Sequence, residues 1–173
     1  MFKSLFGGKK PEGFEVGGTK DLLTISFTLP SDPEASFAAF VDDFGAWWPR
    51  DYTWAGESLA EIGIEARSGG ACFETGKDGA RQIWGTVLTI ERPHHMVLAW
   101  QISPDRNPVE LEAAASRVDV RFTPGEDGGT MMLLVHRDFP RHGDGWEAYR
   151  GQMAGAKGWP KILEAFRDHL ANR

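Results

Sequence analysis

A chain of 173 residues is most economically one domain, long enough to bury on the order of two-thirds of its unfolded surface without disulfide or metal staples. Its formal net charge of −6, with Lys9-Lys10 the densest basic element, excludes the Lys/Arg clusters that a nucleic-acid binder needs to displace phosphate counterions. The lone Cys72 excludes an intramolecular disulfide and any multi-cysteine metal site, and no apolar run approaches the roughly 18 residues of a membrane span. The expected compartment is the cytoplasm.

Residues 1–20 read as a flexible N-terminal extension, because residues 7–20 are rich in Gly and Lys and poor in apolar side chains. Order is expected near Asp21, in a single domain over 21–173. Leu22 to Leu29 is rich in strand formers and stops at Pro30. Ser31-Asp32-Pro33-Glu34 then reads as a helix start: a capping side chain, a proline in the first turn and an acid that suits the helix dipole. Phe37, Phe40, Val41 and Phe44 recur at helical spacing before Gly45. Pro49, after Trp47-Trp48, argues against a continuous helix.

The middle of the chain reads as strands. Leu59 to Ala66 and Ala71 to Thr75 flank a glycine turn, Arg81 to Glu91 follows, and His95 to Ile102 comes after the Arg92-Pro93 break. Ser103 to Ala115 reads as a loop with one short helical turn. Arg117 to Thr123 alternates polar and apolar without exception, the pattern of a half-buried strand, and Thr130 to Phe139 completes the sheet. Trp146, Tyr149, Met153, Ala156, Trp159, Leu163, Phe166 and Leu170 then fall at steps of three and four, an apolar helical stripe that Gly155, Gly158 and Pro160 should bend. A meander of six or seven antiparallel strands with a long C-terminal helix is an α+β arrangement. The helix covers one face of the sheet, and the space between them holds either side chains or a ligand.

Several segments, in this order and spacing, carry a family resemblance: Trp47-Trp48-Pro49; Arg67-Ser68-Gly69-Gly70-Ala71-Cys72-Phe73-Glu74; Trp84-Gly85-Thr86-Val87-Leu88; Glu91-Arg92-Pro93; Leu98-Ala99-Trp100. Val118 to Phe122, Gly129-Thr130, His136 and Gly158-Trp159 complete the set. From Asp21 to Leu170 the chain resembles the SRPBCC (START-like) superfamily, in the branch containing homologues of the activator of heat-shock protein 90 ATPase. The resemblance implies a helix-grip fold, a curved sheet wrapped around the C-terminal helix, with a hydrophobic cavity between them. The chaperone activators that name the branch look like two-domain molecules, and this chain has room only for their C-terminal type.

The residues themselves carry little chemistry. The five histidines have no metal-ligand spacing, no GxSxG occurs, and Cys72 beside Phe73 reads as an inert buried thiol. No catalytic residue, metal or cofactor is therefore assigned. His136 shares a strand face with Met132 and Leu134. It is either a core imidazole bonded to the backbone or a polar anchor at one end of a pocket. Its companions would be Glu74 and Arg150. The seven Trp are costly as pure filler, since each buried indole N–H needs an acceptor. Trp47, Trp48, Phe73, Trp84, Trp100, Phe122 and Leu134 are expected to line the pocket with Trp146, Tyr149 and Met153 of the helix.

Three functions remain open. One is a module that binds a hydrophobic or aromatic small molecule. The second is an enzyme of cyclase or hydrolase type that uses His136 or Glu74. The third is an interaction or co-chaperone-like protein with a packed core, dimerising through the apolar face of Met131, Leu133 and Val135.

Overall fold

Eight antiparallel strands form one curved sheet in the order β1-β2-β8-β7-β6-β5-β4-β3, in a computed structural model that describes residues 12–173. The strands are β1 (Glu15–Gly18), β2 (Leu23–Leu29), β3 (Leu59–Ile64), β4 (Ala71–Gly76), β5 (Arg81–Glu91), β6 (His95–Trp100), β7 (Ser116–Pro124) and β8 (Thr130–Arg137). Helices α1 (Pro33–Asp42) and α2 (Phe44–Trp47) follow β2, and α3 (Trp146–Ala154) and α4 (Trp159–Ala171) close the chain. This is the helix-grip arrangement, with one strand more than the sequence pattern predicts.

That strand corrects the N-terminal boundary. Glu15–Gly18 pairs with Leu23–Ser26, and Phe14 is buried with its ring edge-on to Phe27 and the Arg167 guanidinium above it. Composition hides β1 because its stability comes from the edge of β2 and the burial of Phe14. The rest of the expected extension, residues 1–11, lies outside the described residues.

Period-two alternation decides what the grip encloses. One register row brings Ile25, Leu134, Val120 and Met96 together, and the next brings Leu23, His136, Val118 and Leu98. All of these are buried. Phe37 and Phe40 of α1 pack edge-on against Phe122, and Phe40 packs in the same way on Phe166 of α4. The helix start is set by the Asp32 carboxylate, which accepts the Ala35 N–H at 2.8 Å. On the outer face of β8, Met131 is 40% exposed, while Leu133 is half-buried beside Ser26 and Arg121, and Val135 beside Thr24 and Asp119.

The C-terminal helix is broken rather than bent. Gly155 to Gly158 separates α3 from α4, and Pro160 lies in the first turn of the new helix. A Cβ on Gly158 would stand 2.3 Å from the Met153 carbonyl oxygen, so the chain can pass this close to the end of α3 only on a glycine. The break places Lys157 and Gly158 at the end of the space that sheet and helices enclose.

Candidate functional site

That space is a cavity of about 430 Å³, within the usual size of a small-molecule site. Its inner wall is aromatic. Trp48 follows α2, Trp84 comes from β5 and Trp100 from β6. The Trp48 and Trp84 rings stack at 5.9 Å and 13°, and Trp100 meets Trp84 edge-on at 6.0 Å. Ile62 of β3, Ile102 after β6, Met153 of α3 and Ile162 of α4 complete the apolar lining.

The indole N–H groups do not point at a ligand. Trp48 donates to the Tyr52 carbonyl (3.2 Å), Trp84 to the Phe73 carbonyl (3.0 Å) and Trp100 to the Tyr149 hydroxyl (2.8 Å). The Tyr149 O–H in turn donates to the Ile102 carbonyl at 2.8 Å, and burial pushes its pKa up to about 12. It remains a phenol at any physiological pH. The cavity wall is therefore made of ring faces, with its donors spent internally.

Glu74 is the polar exception on the inner wall. It is 3% exposed, projects inward from β4, and spends both carboxylate oxygens on backbone amides: Oε1 accepts from Trp54 (2.8 Å) and Oε2 from Ala55 (3.1 Å). These amides belong to the loop between α2 and β3, which crosses the cavity mouth. The same loop is tied on two more sides. Tyr52 Oη donates to the Lys157 carbonyl at 2.7 Å, and Trp54 Nε1 donates to the Arg106 carbonyl at 2.6 Å. Glu74→Gln would put an NH₂ donor against one of these amides. The expected loss is about 1–3 kcal/mol in urea unfolding, with faster hydrogen exchange at Trp54 and Ala55. Unchanged exchange there would show that the carboxylate does not hold the loop.

The expected pocket residues separate into two sets. Trp48, Glu74, Trp84, Trp100, Tyr149 and Met153 line the cavity. The others do not. Trp47 donates to the Phe40 carbonyl and packs against Phe166, and Phe122 and Leu134 lie in the core toward α1. Phe73 cannot face inward with its neighbour Glu74. It turns to the other face of the sheet, where the Arg81 guanidinium stands 4.3 Å from its ring. Trp146 is half-buried at the start of α3 and away from the cavity, while Arg150 donates to the Leu22 carbonyl at 3.1 Å.

His136 stands behind the wall. It is fully buried and stacked on Phe139 at 4.0 Å, with Trp100 between it and the cavity at 5.8 Å. Trp159 Nε1 donates to its Nδ1 at 3.0 Å, and its Nε2 lies 2.7 Å from Ser116 Oγ. Burial, with His142 nearby, holds its pKa well below the ordinary imidazole value. Its surroundings are those of a neutral core histidine. Cys72 is likewise inert: burial, and secondarily Glu65, push its thiol far above the usual range.

Sequence reasoning missed the mouth. Asp51, Tyr52, Thr53 and Trp54 of the loop, Arg106, and Gln152 and Lys157 of the C-terminal segment all border the cavity. The one legible signal was Tyr52 and Trp54, two aromatic residues in an otherwise polar turn after Pro49. Among the described residues no group of three or more His, Cys, Asp or Glu could hold a metal ion, and no helix is long and apolar enough to cross a membrane.

Solved structures share this architecture. The anthrahydroquino-γ-pyrone synthase Txn09 is 26% identical, with a TM-score of 0.61 over 87% of this chain and 99% of its own. A Rhodobacter sphaeroides protein is 19% identical, with a TM-score of 0.65 over 94% and 100%. The self-sacrificing resistance protein CalC from Micromonospora echinospora is 24% identical, with a TM-score of 0.62 over 89% and 97%. No curated protein matches the sequence. Residues 31–171 match the family described as Activator of Hsp90 ATPase homolog 1-like protein, and the chain, with its SRPBCC-type grip and aromatic cavity, belongs to that family.

Proposed function

We propose that the protein binds a flat, largely apolar small molecule in this cavity, with Trp48, Trp84, Trp100, Tyr149 and Met153 against the ligand and Glu74 holding the loop that covers it. The observation that carries this reading is the wall of indole faces whose N–H groups are already bonded within the protein. Such a wall gains from dispersion and ring stacking and offers little to a polar ligand. The similarity to a synthase of an anthrahydroquino-γ-pyrone, a fused-ring skeleton, supports a ligand of the same flatness.

A proton-transfer enzyme is less well supported. Glu74 has both oxygens occupied by loop amides, and His136 is separated from the cavity by Trp100. The test is intrinsic tryptophan fluorescence during titration with a series of anthraquinone-type compounds and with aliphatic compounds of equal volume. Saturable one-site quenching is expected with the flat series and not with the aliphatic one. Equal response to both, or none to either, would overturn the reading.

A further inference from the structure

Resting on that cavity reading, we propose that its mouth is an anion grip: Arg106, assisted by Lys157, holds a carboxylate, sulfonate or phenolate on the edge of an aromatic ligand. Arg106 is presented, exposed, by a hydrogen-bonded turn. Its N–H donates to the Ser103 carbonyl at 2.8 Å, the Asn107 N–H donates to Ser103 Oγ at 3.0 Å, and the Ser103 N–H donates back to the Asn107 carbonyl at 2.8 Å. The turn holds Arg106 at φ 64°, a left-handed conformation that a residue with a long side chain rarely adopts. Strain of this kind persists where the surrounding structure fixes it, and it recurs at ligand clamps.

The guanidinium lies 4.7 Å from the centroid of the Tyr149 ring, and that ring itself lines the cavity. Nη2 donates to Gln152 Oε1 and Nη1 to the Pro104 carbonyl, each at 3.2 Å. A guanidinium has five N–H groups, so the fork is oriented with donors to spare. Among the described residues neither Arg106 nor Lys157 has a carboxylate partner within ion-pair distance. The acids at the same cavity are Glu74, engaged with the loop amides, and Asp51 on the loop. A planar fork held over a cavity-lining ring is suited to two-point binding of a carboxylate or sulfonate on the rim of a flat ligand.

The test uses two probes with one ring system: 1-anilinonaphthalene-8-sulfonate and its uncharged counterpart N-phenyl-1-naphthylamine, titrated into the full chain. Each should displace the other at one-to-one stoichiometry. Arg106→Gln is expected to weaken the sulfonate about tenfold and the neutral probe less than twofold. Arg106→Lys should recover part of the loss, and Lys157→Gln should show a smaller loss of the same kind. Raising the salt should narrow the wild-type preference for the anion. If Arg106→Gln weakens both probes together, Lys157→Gln decides by the same comparison. An unchanged ratio between the probes in these variants would overturn the grip and leave the cavity reading intact. Failure of both probes to bind wild-type protein would overturn the cavity reading as well.

Discussion

Trp100→Ala is expected to lower the unfolding free energy by about 3–5 kcal/mol, the usual cost of deleting a large buried ring. Trp100 is 4% exposed and touches four other rings: Trp48 at 6.3 Å, Trp84 at 6.0 Å, Trp159 at 5.1 Å and the His136 imidazole at 5.8 Å. Trp84 is held by β5, His136 by β8, Trp159 by α4 and Trp48 by the segment that follows α2, so none can move into the gap without leaving its own partners. The substitution also removes the donor to Tyr149 Oη, although Tyr149 keeps its bond to the Ile102 carbonyl. Trp100→Phe retains part of the ring and should cost less than half as much. Urea unfolding followed by far-ultraviolet circular dichroism is the appropriate measurement, because the substitution itself alters the fluorescence. A loss below about 1 kcal/mol for the alanine variant would mean that the aromatic wall rearranges freely, which close packing forbids.

Where side-chain period and capping chemistry are local, the sequence could be read directly. Arg117 to Thr123 alternates as written, with Val118, Val120 and Phe122 buried, and Asp32 caps α1 as its position before Pro33 suggests. What joins distant segments could not be read in this way. Tyr52 and Lys157 meet across 105 positions, and Trp54 and Arg106 across 52, because the sheet curls and α3 breaks at Gly155 to Gly158. Neither closure leaves a periodic trace. Alternation was available, however, to separate Phe73 from Glu74: adjacent residues of one strand cannot both enter one cavity. His136 shows the remaining limit. Its inward face follows from the strand pattern, but only the packed rings decide whether an inward imidazole reaches a cavity or a core.

That core imidazole is expected to make the protein lose stability as the pH falls below about 6.5. The Trp159 indole can only donate, so His136 Nδ1 must carry a lone pair and its proton must sit on Nε2, which donates to Ser116 Oγ. The serine hydroxyl is then free to donate to His142 Nε2 at 2.7 Å, and the Ser116 N–H donates to the same nitrogen at 3.2 Å. His142 therefore carries its proton on Nδ1. A second proton on His136 would face the indole N–H, and one on His142 would face the Ser116 amide, so each protonation breaks a hydrogen bond, and that of His136 also charges a fully buried ring. Burial holds His136 well below the ordinary value of 6.5 and lowers His142 to about 4.

Both folded-state values are depressed, so between them and about 6.5 the unfolded chain binds more protons and stability rises with pH. The contribution of the neutral pair is complete above about pH 6.5 and is lost as the pH falls toward the folded values. One proton changes stability by at most about 1.4 kcal/mol per pH unit, so stability should fall as the pH drops from 6.5, with the fully buried His136 as the larger contributor. His142 is half-exposed, and solvent screening makes its share smaller. Urea midpoints at several pH values over this range measure the loss. Imidazole ¹⁵N shifts identify its source: His136 should remain the neutral Nε2–H tautomer throughout, and His142→Gln should reduce the slope while leaving that tautomer in place. A His136 ring that titrates near 6.5 in the folded protein, or a stability flat from pH 7 to 5, would show that this pair is not buried as a neutral unit.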